Sequence, residues 1–217
     1  MARYVGRQSS ADGNSPFDAD RVTNEGGLVV AQLNGKYAEQ ARRGRLYYGS
    51  SASAGIAIIV PATGGGHPTL WNPSDSGRDV SIVRVELSYV SGNHAPGAFE
   101  WALTATTGAT AATGAPIATA TLVDPVPCRI GGTRDFKARW SPTTNTFTAA
   151  PVFTRALGVG LHTGVAATAI NPTQIRVDYD GDLMLAPGNA LSLCYQTTTT
   201  TALFQVTVTW EELDILS

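Results

Sequence analysis

The chain has 217 residues and a formal charge of -2, with 15% charged and 43% hydrophobic positions. Counts of 30 Ala, 26 Thr and 23 Gly make small and β-branched residues dominant. That composition excludes a coiled coil or long-helix bundle, which draws about half its residues from Ala, Glu, Lys, Leu and Arg. It also excludes a disordered chain, because near-neutral charge with this apolar content supports a core. The length suits one all-β domain, or one domain plus an arm, better than two domains.

Residues 1–45 read as an N-terminal arm. The stretch Ser9-Ser10-Ala11-Asp12-Gly13-Asn14-Ser15-Pro16 is turn-rich and apolar-poor, and the segment holds seven cations against five acids. Within it, Leu28 to Leu33 predicts a short strand, and Lys36 to Arg43 one or two helical turns stopped by Gly44. No apolar run follows Arg3 and Arg7, so neither export nor anchoring is expected. Cys128 and Cys194 stand alone, without a CxxC or paired histidines, and are expected to be two thiols.

From residue 46 to 217 the apolar period becomes two, as in strands. Ile56, Ile58 and Val60 predict a strand before Pro61, and Gly64-Gly65-Gly66-His67-Pro68 a loop. Val83, Val85, Leu87 and Tyr89 share one phase while Val80 and Ile82 take the other, which predicts a β-bulge near Ile82. Further strands are expected at Phe99 to Leu103, Ile117 to Leu122, Phe136 to Trp140, Ile175 to Tyr179, Leu191 to Tyr195 and Phe204 to Trp210. With no helical pattern between them, they predict an antiparallel β-sandwich, jelly-roll-like in its strand content. Thr104 to Thr121 and Thr197 to Thr201 are rich in threonine and suit hairpin tips or edge strands that pair with a neighbour.

Catalytic spacings are absent. Asp178-Tyr179-Asp180-Gly181-Asp182 lacks the glycine and glutamate positions of a calcium loop, and reads as a tight turn between two short strands. His67, His94 and His162 lie beside Gly or Pro and not at metal-ligand spacing, so they read as loop residues. Glu211 and Glu212 follow Trp210 at a strand terminus and read as solvated. No catalytic, cofactor-binding or metal-binding residue is assigned, and no cofactor. Arg129, Arg134, Lys137 and Arg139, around Gly131-Gly132 and interleaved with Phe136 and Trp140, are candidates for partner contact, as are Arg42, Arg43 and Arg45. An overall acidic balance makes nucleic acid an improbable partner.

The segment Leu70-Trp71-Asn72-Pro73-Ser74-Asp75-Ser76-Gly77-Arg78-Asp79 resembles a Leu-x-Asn-Pro-x-x-Ser-Gly signature of small β-sandwich proteins encoded among tailed-phage virion genes. Leu185-Ala186-Pro187-Gly188-Asn189-Ala190-Leu191, followed by the Val206 to Glu212 strand, is similar to their closing half. The resemblance covers roughly residues 46 to 213. It implies a non-enzymatic virion structural protein of the capsid decoration (cement) or head-tail accessory kind. Its implied partners are the major capsid protein or another virion protein and further copies of itself, a trimer being expected, with no membrane involved. Assembly in the host cytoplasm and residence in the virion follow. The alternative is a receptor- or glycan-binding module of a phage tail or fibre, using Trp71, Trp101, Trp140 or Tyr195 to stack on sugar rings.

Overall fold

The computed structural model describes residues 21–22, 28–29, 36–92, 97–104, 122–132, 134–147, 150–160, 174–197 and 201–215. The chain divides into two compact units, Met1–Ala38 and Glu39–Ser217. In the first, β1 (Arg21–Val22) pairs antiparallel with β2 (Leu28–Val29). Residues 30–33 of the strand expected there lie outside the described residues.

The boundary after residue 38 differs from the expected one after residue 45, and the reason is local. Helix α1 (Ala38–Arg42) ends in a paired-carbonyl cap, with Gly44 N–H donating to Ala41 O and Arg45 N–H to Gln40 O. The Arg45 carbonyl then accepts from Glu212 N–H at 2.9 Å. Residues 39–45 thus belong to the second unit.

In chain order that unit contains β3 (Leu46–Ser50), β4 (Gly64–Gly66), β5 (Thr69–Asn72), β6 (Arg78–Ser91) and β7 (Gly97–Thr104). Then come β8 (Val126–Pro127), β9 (Arg139–Ser141), β10 (Thr144–Thr146) and β11 (Val152–Gly160). The last are β12 (Gln174–Asp178), β13 (Met184–Leu185), β14 (Asn189–Tyr195) and β15 (Leu203–Asp214). One sheet has the order β12-β6-β15-β3-β8, with β13 also on β6; the other is β11-β7-β14-β5-β9. Every described pairing is antiparallel. The eight main strands β3, β5, β6, β7, β11, β12, β14 and β15 fall alternately in the two sheets, except that β7 and β11 form a hairpin in one. That connectivity is a jelly roll, in agreement with the expected sandwich.

The core lies between the sheets. Phe99 on β7 meets Phe204 on β15 and Tyr195 on β14, with ring centroids 4.9 and 4.7 Å apart. Trp101 Nε1 donates to the Tyr179 hydroxyl at 2.8 Å, tying β7 to the end of β12 in the opposite sheet. Trp140 on β9 lies under Gly49 on β3 and donates from Nε1 to Ser50 O at 3.2 Å.

Several expectations shift in register. The bulge on β6 falls at Val83, between the pairs Thr209↔Arg84 and Trp210↔Ile82, so Ile82 and Val83 are both buried. Residues 57–60 make no ladder: Ile56 forms an isolated bridge to Phe204, and Ile58 is buried without a strand. Gly64–Gly66, expected as a loop, instead pairs with β10. Three glycines read as a loop because they carry no side-chain pattern, yet their bareness lets the strand lie against Ile59. A Cβ on Gly65 would stand 2.5 Å from Ile59 Cδ1. Of the strand expected at Phe136 to Trp140, only β9 forms. Residues 105–121 and 198–200, which hold most of the threonine-rich tracts, lie outside the described residues, as do His94 and His162.

The Asp178–Asp182 carboxylates form the expected turn. Asp182 N–H donates to Tyr179 O at 2.9 Å, and Asp180 (φ 47) with Gly181 (φ 94) gives the two positive φ angles of a type I′ turn. The flanking strands do not pair with each other, however; both lie along β6. Asp178 pairs with Arg84 at 2.6 Å and Asp182 with Arg155 at 2.7 Å.

His67 lies in the short loop between β4 and β5, as expected, but that loop is buried: the His67 ring stands 5.8 Å from that of Phe147 and its Nδ1 3.6 Å from Cys194 Sγ. The Asn145 amide donates to its carbonyl. Burial pushes the imidazole pKa down, partly opposed by the Ala62 backbone, and pushes the Cys194 thiol up to about 12, with Glu100 adding to it. Both cysteines are free.

Two outcomes follow from this packing. In Gly49→Ala the added Cβ would stand 2.5 Å from Trp140 Cγ, so urea unfolding should show a loss of about 1–3 kcal/mol. The depressed His67 pKa means that the unfolded chain binds the proton more readily. Its contribution to stability is therefore complete above the ordinary imidazole pKa of about 6.5 and is lost as pH falls toward the folded value. The drop in melting temperature from about pH 7 to about pH 5 should be smaller in His67→Gln than in the parent.

Candidate functional site

The connection from β7 to β11, residues 105–151, is far longer than a hairpin needs. Its residues 122–141 reach the far edge of the sandwich, where β8 pairs with β3 and β9 with β5. Val123 bridges Trp140, so this segment caps the edges of both sheets.

A buried ion pair fixes the segment in place. Arg78, at the start of β6, meets Glu212 of β15 at 3.1 Å, with side-chain exposures of 8% and 0%. Glu212 also accepts N–H bonds from Lys137 at 2.8 Å and Ala138 at 3.0 Å. The Arg78 guanidinium reaches the Asp135 carboxylate at 2.6 Å and its carbonyl at 2.5 Å, and Asp214 at 3.2 Å. Burial alone would lower the Arg78 pKa, but hydrogen bonds to Asp135 and Glu212 outweigh it and raise it. The Arg78 hydrogen bond holds the Asp135 carboxyl below its ordinary range.

The two segments that carry the family resemblance meet beside this pair. Asn72 is buried; its side-chain amide nitrogen donates to Arg78 O at 2.8 Å and Leu185 O at 2.9 Å, and its backbone carbonyl accepts from Gly188 N–H at 2.8 Å. Ser76 N–H closes the turn on Pro73 O at 3.1 Å, and Gly77 takes a positive φ of 65°. The Asn-Pro turn and the Pro-Gly corner are thus one hydrogen-bonded junction, whose role is to present Arg78.

The candidate contact residues separate into two groups. Arg45 is spent on Asp214 at 2.7 Å, Arg43 on Glu39 at 2.9 Å, and Lys137 lies 3.6 Å from Asp135. Those three are engaged within the fold. Arg42, Arg129, Arg134 and Arg139 are exposed and make no ion pair among the described residues. Arg129 Nη1 donates to Arg42 O at 3.4 Å, which brings together two clusters 87 positions apart in sequence. Arg139 covers the Phe136 ring at 5.4 Å, and Phe136 packs edge-on against Tyr47, whose hydroxyl donates to Gly44 O. One basic edge results. Beside it a hollow of about 420 Å³ is lined by charges of both signs, Arg43 and Arg45 with Glu212 and Asp214.

Glu212 was expected to be solvated and is buried instead; Glu211 is half-buried, and burial raises its pKa. The signal was in the strand: Glu212 continues the inward phase of Phe204, Val206, Val208 and Trp210, all of them buried. No family model matches the chain, and no curated protein matches it in sequence.

Glu212→Gln removes the charge opposite Arg78, and Arg78→Leu leaves the Glu212 carboxylate buried without its cation. Each should destabilise the domain by about 3–5 kcal/mol in denaturant unfolding.

Proposed function

We propose that this chain is a non-enzymatic structural protein of a virus particle, most concretely a capsid decoration protein that binds the major capsid protein or another virion protein. The observation that carries this reading is the basic edge: Arg129, Arg134 and Arg139 stand exposed on a long connection that the jelly roll itself does not require, Arg129 meets Arg42, and the four make no ion pair among the described residues. The sequence resemblance of the Asn72–Gly77 and Leu185–Leu191 segments supports it, and so does the way both segments serve a rigid scaffold. Jelly rolls also serve as lectins and cupins, so the fold by itself does not choose among them.

A comparison of aromatics favours assembly over glycan binding. Trp101, Trp140 and Tyr195 are fully buried, and only Trp71 is half-buried. Side chains spent in the core cannot stack on a sugar ring.

Association with further copies is in keeping with the closed symmetry that most homo-oligomers adopt, and a trimer is the reading because three-fold contact would match the local three-fold positions of an icosahedral shell. Light scattering should give a mass of about three chains, and the protein should co-sediment with empty capsids. A monomer at high concentration that pellets with no particle would defeat the proposal.

A further inference from the structure

The basic edge has an apolar tip. Arg129 to Gly132 forms a tight turn, with Gly132 N–H donating to Arg129 O at 2.8 Å and Gly131 at φ 77. That is the pattern of a type II turn, in which the third residue needs a positive φ and glycine supplies it. The second position makes no such demand and is usually polar or proline. Here it is Ile130, with 79% of its surface exposed. Its exposure exceeds that of every other large hydrophobic side chain among the described residues. Arg129 precedes it and the exposed Arg134 follows four positions later in the chain, and Arg129 Nη1 donates to Arg42 O.

We infer that Ile130 and the surrounding arginines form a docking surface for an acidic protein surface that carries a small apolar pocket. This rests on the reading of the chain as a particle-binding protein and adds the chemistry of its partner. An apolar anchor at the centre of a charged rim is how binding energy is usually distributed in protein interfaces. Arginine suits the rim because its planar guanidinium pairs with carboxylates two bonds at a time. The turn is held from behind. Cys128 N–H donates to Leu46 O at 2.9 Å, and β8 is paired to β3, so little ordering is lost when Ile130 is buried by a partner. Nucleic acid fits less well. An aliphatic tip offers no base-stacking face, Phe136 is covered by Arg139, and the chain as a whole is acidic.

The test uses the full-length protein and a labelled Glu-rich peptide with a central pair of leucines, read by fluorescence anisotropy at low and moderate salt. Binding should weaken with salt. It should weaken by about tenfold in Ile130→Ser and by a similar factor in the Arg129→Ser/Arg134→Ser double variant. Replacing the peptide's leucines by serine should mimic the Ile130 change. Because these side chains are exposed at a turn, circular dichroism and melting temperature should match the parent. No binding, binding indifferent to Ile130→Ser, or tighter binding to an oligothymidylate would overturn the inference. Particle co-sedimentation separates the two proposals. Particles that still bind Ile130→Ser would defeat this docking surface and leave the virion role standing. Peptide binding without particle binding would do the reverse.

Discussion

Much of the second unit's organisation rests on the contact between Arg78 and Glu212, a charge pair inside the end of a β-sandwich. Taking two ions out of water costs several kcal/mol each, and their attraction offsets this only when the remaining donors and acceptors are also used. Here they are. Glu212 accepts from two backbone N–H groups of the connection, and Arg78 reaches two further carboxylates and a carbonyl. Four separate stretches of chain therefore meet at one point: the Asn-Pro turn, the end of β15, residues 135–138 and Arg45.

The value of that junction is position. An apolar pair of similar size could fill the volume, but Lys137 and Ala138 would then lose the acceptor for their N–H groups. Residues 122–141 would lose their anchor at that end, and with them the arrangement of Arg129, Arg134 and Arg139. The ion pair is thus the link between the jelly roll and the basic edge built by the long connection.

Period-two alternation made the long strands legible, because one face of each is buried and a one-residue slip would invert it. β6, β7, β12, β14 and β15 stand where the alternation places them, and even the bulge lies one residue from its expected place. What the pattern hid has physical causes. β4 has no side chains to alternate, and β5 is only four residues long inside a segment dominated by turn formers. β11 carries two register shifts, which mix its phases. Among the contact candidates, the cluster from Arg129 to Arg139 was visible as a run of charge. Its meeting with Arg42 was not, since contact across 87 residues leaves no local trace. Of the ion pairs, Glu39 with Arg43 was legible as an i,i+4 pair on the expected helix, whereas Arg45 with Asp214 was not, because those residues approach each other only after folding.

The two ends of the strand order are finished in different ways. At the β11 and β12 edge, register shifts on β11 disturb the ladder, and Arg155 lies over Tyr179 and pairs with Asp182. Shifts of this kind make an edge a poor template for another strand. At the opposite edge the long connection covers β3 and β5 with short pieces of its own, so backbone pairing is largely used up there too. Association through side chains is what such an architecture leaves available. Three of the four exposed arginines that make no ion pair among the described residues, Arg129, Arg134 and Arg139, lie on that connection. In a protein with 15% charged residues, most of the described ion pairs bind one part of the fold to another. Arg42, Arg129, Arg134 and Arg139 stand outside that pattern among the described residues, and that difference, with the exposed Ile130, is the ground of the proposed docking surface.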